Sequence, residues 1–439
     1  MSEAVPATIS RRNLLLGGAA LAGGALTAGA LAGCSTTAAG AETMQYWHLM
    51  SGGDGIVMGD MVKAINARHL GFQTQQTVLA WGPPYYTKLA MASVGGRAPD
   101  VAIMHATRVA GYAPGGLLDV WDQDLLAEVG ITQDKFPERI WKKGFTDDKL
   151  YAVALDSHPF IFMYNTDVAD KAGLLGSNGQ LRPISSPDEL YEAGRKMAEA
   201  TGVHGFSYGF LGDGAQMWRM FYTFYRQQNA DFVLTQGSKA QVDMDAAVKA
   251  LEVMRTILDG KIAAKSGDYG TAVAEFAGGH SGALFTGVWE TPTMITAKLP
   301  FDAMTIPTIF DTPAAYADSH TFVLPHQSTP GQTRKDAYKF VAAMLKSSLK
   351  WAGAGHIPAF SPIVDSAEYK KLVPQSHYAN AADIINYDPV AWFTGSGSNF
   401  QNYFAENIQN VLLGQVEPKV GMEGFIARIN SLLAQPNPV

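Results

Sequence analysis

The 439-residue chain has a single cysteine, Cys34, so no internal disulfide can form and the fold must hold by core packing alone. Basic residues are scarce too: 33 Lys and Arg stand against 40 Asp and Glu, a net charge of −7. That balance argues against nucleic acid as a partner, which asks for a basic surface. Charged residues are only 17% of the chain and hydrophobic ones 47%, which excludes a disordered protein. Beyond Gly33 no apolar run approaches membrane length, and no short repeat or low-complexity tract is present. His-Glu-x-x-His and a Gly-Lys-Ser/Thr phosphate loop are missing, so neither zinc-peptidase nor nucleotide chemistry is indicated. The ten histidines are dispersed along the sequence, and neither a metal site nor a cofactor is expected.

What is present begins at the N-terminus. Paired Arg11-Arg12 precedes a charge-free run from Leu14 to Gly33, 20 residues rich in Ala and Gly, and Leu31-Ala32-Gly33-Cys34 ends it. A basic start, an apolar middle and small residues at a cut site make an export signal, residues 1–33. The run is long enough to span a bilayer, but Ala and Gly transfer poorly, which favours cleavage over a permanent anchor. Ending on Cys34, the signal resembles a bacterial lipobox, and Ser10-Arg11-Arg12-Asn13-Leu14-Leu15 resembles the twin-arginine motif. The expectation is a lipid on Cys34, a flexible tether over 34–43, and a place on the outer face of the cytoplasmic membrane. Without the signal, 31 basic and 39 acidic residues remain, a net −8.

Along the mature chain, Met44–His48, Thr74–Ala80 and Pro99–Met104 read as strands separated by helices over Asp60–His69 and Pro84–Ser93. That alternation predicts an α/β fold with a parallel sheet. A second series follows the turn at Asp147-Asp148, with strands at Leu150–Leu155 and Phe160–Tyr164. Ser186-Pro187-Asp188-Glu189 is a capping box opening a helix to about Ala200. Asp245 is expected to cap another helix, His280–Val288 and Thr321–Leu324 to be strands, and Lys335–Leu345 a helix. From about Tyr369 the chain reads as mostly helical. Two α/β lobes facing one another would enclose a ligand cleft.

Several segments resemble the family 1 extracellular solute-binding proteins of bacterial ABC importers, the group that includes maltose-binding protein. They are Tyr46-Trp47-His48, Ser51-Gly52-Gly53-Asp54-Gly55, Trp81-Gly82-Pro83-Pro84-Tyr85, Gly96-Arg97-Ala98-Pro99-Asp100-Val101, Asp156-Ser157-His158-Pro159, Phe276-Ala277-Gly278-Gly279-His280-Ser281, Gly287-Val288-Trp289 and Gly355-His356-Ile357-Pro358. Their order and spacing carry the likeness from Met44 to Leu433. Ala154 and Val288 stand where the family usually or often has Pro. The resemblance implies a two-lobed periplasmic-binding-protein-like fold of type II, with lobe one at 44–157 plus 309–354 and lobe two at 158–308 plus 355–439. It implies a hinge of three crossings, a carbohydrate ligand, and an ABC permease as partner to a monomer.

A sugar presents an apolar C–H face and a rim of hydroxyls, so its site needs an aromatic plate and short-range polar groups. The candidates are Trp47, His48, Asp54, Trp81, Asp156, His158, Trp218, Trp289, His320 and His356. Each has a plainer reading. The tryptophans suit a core, and Asp54 suits a Gly-rich turn that caps the next helix. Asp156 suits a structural ion pair, and His158, held extended by Pro159, suits a hinge. The stripe Trp218, Phe221, Tyr222, Tyr225 has helical spacing and reads as core, with Trp218 as the residue facing the ligand. Three rivals stay open: an exported carbohydrate-active enzyme, a metal-binding lipoprotein, and the same fold holding a glycerophosphodiester or other polar solute. The last would want an arginine in the cleft; Arg108 and Arg219 are available, but the sequence does not place them there.

Overall fold

The computed structural model describes residues 42–438. The signal segment with Arg11 and Arg12, and Cys34 with most of the tether, lie outside them. Glu42 and Thr43, assigned above to the tether, belong to the first strand. Among the described residues no helix is long and apolar enough to cross a membrane.

Glu42–His48 (β1), Phe72–Val78 (β2) and Val101–His105 (β3) pair in parallel with β1 in the middle, joined by Gly52–Asn66 (α1) and Pro83–Val94 (α2). The alternating pattern expected for this region is what forms. Leu118–Asp119 (β4) and Ala152–Ala154 (β5) extend the same sheet, to six strands in all. Leu155 then leads directly into Asp156–Asn165 (β6), the long middle strand of a second, seven-stranded sheet. His204–Ser207 (β7), Ser281–Gly287 (β8), Phe301–Thr305 (β9) and Ala315–Asp318 (β10) assemble around it. β8, β9 and β10 run antiparallel to β6, and β7 runs parallel to β8. Ser319 returns the chain to the first sheet as His320–Pro325 (β11), antiparallel to β3, β4 and β5. A third crossing over residues 353–356 brings Ile357–Pro358 (β12) onto β6, and Ile385–Asn386 (β13) closes on β10. The fold is α/β and two-lobed, each sheet with its own apolar core.

The helices show where local chemistry decides and where it does not. α1 starts at Gly52, well before the expected Asp60, because the Gly-rich run is the helix's first turn rather than a turn ahead of it. A Cβ on Gly53 would lie 2.6 Å from Cβ of Pro292, so glycine is what lets the start of α1 pack there. Pro187–Thr201 (α3) begins as the capping box predicts: Ser186 Oγ accepts from the Glu189 amide at 3.2 Å, while Glu189 reaches back to the Ser185 amide. Gly214–Arg226 (α4) is buried from Gly214 through Tyr225. Met244–Ile257 (α5) is capped by Asp243, not Asp245: the extended backbone at Asp243 carries its Oδ1 to the Ala246 amide at 3.0 Å. Tyr269–Ala277 (α6) and Gln332–Lys346 (α7) follow. The C-terminal part is helical only in Asn399–Leu412 (α8) and Pro418–Leu433 (α9); before them run short 3-10 turns. Asp147 and Asp148 both take positive φ and form the expected turn.

The second crossing differs from the expected boundary at 309. Ile309 and Tyr316 pack into the second core, and β10 pairs with β6, so residues 309–318 stay with the second sheet and the return comes at Ser319.

All three crossings meet at the fully buried Asp156. One carboxylate oxygen accepts from the His320 amide at 2.8 Å and from His158 Nδ1 at 3.0 Å. The other accepts from His320 Nδ1 at 2.8 Å and from Trp351 Nε1 at 2.6 Å, with His356 Nδ1 3.0 Å away. His356 Nε2 reaches Asp54 on α1 at 3.1 Å. Burial disfavours the imidazolium of His356, but the carboxylates of Asp54 and Asp156 outweigh it and raise its pKa to about 9. Burial, with His320 adding repulsion, lowers His158 to about 3, so it is neutral. The Asp156 carboxyl is held well below its usual range: burial opposes this, and the surrounding imidazoles of His320, His158 and His356 prevail.

Two outcomes follow from this packing. A histidine whose pKa is raised on folding stabilises fully below its unfolded value near 6.5, and the gain is lost as pH rises through about 9. The stability gap between wild type and His356→Gln in urea melts should therefore narrow by about 3 kcal/mol from pH 6 to pH 9.5; a gap independent of pH would remove the charge from His356. Trp218 is fully buried, stacked on Tyr222 and edge-on to Phe400 and Phe404. Trp218→Ala should cost about 3–5 kcal/mol in the same melts.

Candidate functional site

A cavity of about 350 Å³ opens between the two sheets, beyond the carboxyl ends of the parallel strands. The first sheet contributes Met50, Ser51 and Asp54 after β1, Trp81 after β2, and His105 at the end of β3. The second contributes Gln216 and Arg219 from α4, Tyr269 opening α6, and Trp289 and Glu290 after β8. His158 and His320, next to the crossings, complete the wall.

Trp289 is the half-buried aromatic plate of this cavity. Gly287 makes room for it: a Cβ there would fall 2.0 Å from the indole ring. The indole Nε1 donates to the Tyr269 hydroxyl at 2.7 Å, and that hydroxyl donates to Glu290. Burial raises the Glu290 carboxyl pKa, with the Tyr269 hydrogen bond opposing. The Arg219 guanidinium lies over the Trp289 face, 4.6 Å from the ring centroid. Trp81, 43% exposed, stands at the mouth.

The imidazoles are fixed from behind. His158 and His320 turn Nδ1 to Asp156, which leaves Nε2 of each without a hydrogen-bond partner among the described residues. His158, neutral and held this way, is an acceptor at Nε2. His105 meets the Tyr86 hydroxyl through Nδ1, and burial first, then His320 and His158, keeps it well below its usual pKa. Asp156, His158, His320 and His356 offer ligand atoms within 4.8 Å of one another. Histidines dispersed in sequence are therefore clustered in space. Hydrogen bonds to the carboxylate account for the positions of His158 and His320.

Of the ten residues singled out above, Asp54, Trp81, His158, Trp289 and His320 line the cavity. Asp156 and His356 sit behind it, fully buried. Asp54 does not cap α1; it lies in the helix's first turn, bonded to His356. Trp47, His48 and Trp218 are elsewhere. Strand alternation turns His48 to the buried face, where Gln76 holds Nε2 at 3.1 Å and burial lowers its pKa to about 4. It turns Trp47 the other way, into a shallow groove beside Lys88 on α2. Trp218 lies in the second core and donates to Asp388. Arg108 is likewise outside the cavity, stacked on Tyr86. His105, Gln216, Tyr269 and Glu290 line the cavity without having been expected there, and Arg219, which the sequence offered without placing, lines it too.

Gly205-Phe206-Ser207-Tyr208-Gly209 spells a nucleophile elbow, but the geometry is not one. Ser207 is buried at the end of β7, and its hydroxyl meets Glu275 and Ser281 at 2.6 Å each. His204 bonds the other oxygen of Glu275, so among the described residues no imidazole bonds the serine to act as its base.

Solved structures share this architecture. The GacH receptor of Streptomyces glaucescens, studied unliganded and with acarbose, superposes with a TM-score of 0.75 at 17% identity, over 90% of this chain and 98% of that one. The maltose/maltodextrin-binding domain MalE from Bdellovibrio bacteriovorus, bound to maltotriose, gives 0.71 at 18% identity, over 90% and 100%. The maltose-maltodextrin binding protein of Alicyclobacillus acidocaldarius gives 0.68 at 16%, over 88% and 100%. Likeness at such identities speaks to the fold. No curated protein sequence matches. A family model does match residues 60–374, and the chain belongs to the bacterial extracellular solute-binding proteins.

Proposed function

We propose that this protein captures a carbohydrate between its two lobes and delivers it to the permease of an ABC importer. The observation that carries the reading is the cavity wall: one half-buried indole, Trp289, surrounded by polar groups drawn from both sheets. An apolar plate beside donors and acceptors matches the two surfaces of a sugar ring. In this reading Trp289 stacks on the ring, and Trp81 covers it at the mouth. Asp54, His158 and His320 meet hydroxyls, while Asp156 and His356 orient them from behind. Trp47, His48 and Trp218 have no ligand role. The solved structures named above, with acarbose or maltotriose bound, support the choice of solute.

The family is extracellular, so the protein is exported. We further infer a twin-arginine route through Arg11-Arg12, a lipid on Cys34, and action as a monomer that turns nothing over. The three crossings serve as the hinge, with lobe one at 42–155 plus 320–354 and lobe two at 156–318 plus 355–438.

A thermal-shift screen over mono- and oligosaccharides tests the ligand class. A sugar at about 100 times its Kd adds about 2.7 kcal/mol to stability. Trp289→Ala should weaken Kd at least about tenfold, which cuts that gain to about 1.4 kcal/mol or less, while the unliganded melting temperature stays near wild type. A full ligand response in this variant removes the stacking role, and release of product from any sugar would sink the binding reading. Cys34→Ser should move the protein from the membrane to the soluble exported fraction, and Lys-Lys in place of Arg11-Arg12 should block export. Unchanged fractionation in either case removes the corresponding step.

A further inference from the structure

Arg219 is an unusual wall for a cavity that takes neutral sugars. It is 7% exposed, one turn along α4 from Gln216, and both side chains face the cavity. Among the described residues no carboxylate pairs with its guanidinium and no protein group accepts a hydrogen bond from it; Nε is buried without a partner. Its position is nevertheless fixed, with the Trp289 ring at 4.6 Å and the Tyr316 ring at 6.0 Å. The side-chain oxygen of Gln216 is likewise buried and unpaired. Buried cations are ordinarily paired, and a guanidinium left open to a cavity is a place for an anion.

The carboxylates that share the wall do not fill that role. Asp54 is held by His356, Glu290 by the Tyr269 hydroxyl, and Asp213 by the Gln216 amide it caps at 3.0 Å. From this arrangement, and resting on the carbohydrate reading above, we infer that the solute is an acidic saccharide. Its carboxylate, of the kind uronic acids carry, seats on the fork of Arg219 beside Gln216.

The class of anion follows from charge matching. Among the described residues Arg219 is the one Lys or Arg lining the cavity, and three carboxylates share the lining with it. One guanidinium matches one carboxylate, and its planar fork pairs with that group bidentately. A phosphate monoester carries close to two charges at pH 7 and would meet repulsion from the rest of the wall. The saccharide ring then lies against Trp289, over whose ring the same guanidinium sits.

The test is calorimetric titration of the purified protein with glucuronate, galacturonate and their short oligomers. Parallel titrations use the neutral parent sugars, the uronate methyl esters and a glycerophosphodiester. The expected result is acids at least about tenfold tighter than their neutral parents, with the methyl esters at the neutral level. Arg219→Met should abolish that preference without lowering the unliganded melting temperature, because it removes a buried charge that no carboxylate among the described residues pairs, while keeping apolar contact with the Trp289 ring. Arg219→Lys should restore part of it. Neutral sugars binding as tightly as the acids overturn this inference and leave the carbohydrate reading standing. Methyl esters binding as tightly as the free acids overturn it as well, even where the Arg219 variants fail to fold. Binding of the phosphodiester with no saccharide response overturns both readings.

Discussion

One carboxylate, Asp156, touches every point at which the chain passes between the sheets. It starts the first crossing strand, accepts from the backbone and ring of His320 at the second, and faces His356 at the third. A carboxylate buried this deeply is tolerable only with its lone pairs filled, and here the donors come from three distant stretches of chain. Removing it would strand several donors at once, where breaking a buried pair typically costs about 3–5 kcal/mol. The absence of disulfides is easier to understand beside it. A polar knot that closes only when both lobes are in place supplies part of the cross-linking that covalent bonds would otherwise give.

The same carboxylate reaches the cavity. By holding Nδ1 of His158 and His320, it sets which edge of each imidazole is turned to the cavity. Through His356 it also touches Asp54 on α1. Support and site are thus one network, and the polar groups on offer are oriented before any ligand enters, which limits the ordering a ligand must bring about.

Local signals in the sequence reached as far as local chemistry does. The parallel strands, the box at Ser186 and the turn at Asp147-Asp148 are written in neighbouring residues, and they form as read. The partners of Asp156 are not: His320 lies 164 residues away, and no pattern of spacing brings it back. On β1 the sequence reading stops just short, since strand alternation buries His48 and the cavity lining begins beyond it at Leu49. The neighbours Trp218 and Arg219 show the sharpest limit. With α4 buried through Tyr225, hydrophobic periodicity could not separate the side that packs from the side that lines a cavity, and it favoured the tryptophan. Helical burial on all sides hides an arginine's purpose until its surroundings are known.

Three strands crossing at one anchored point also constrain how the lobes can move. A joint held there by short hydrogen bonds permits turning but resists sliding. Displacement then grows with distance from the pivot: His158 and His320, bonded to it, would shift least, and Trp81 at the rim most. In the closure proposed above, the imidazoles beside the pivot would stay still while the rim sweeps, so the lever arm of this fold would separate orienting a solute from enclosing it.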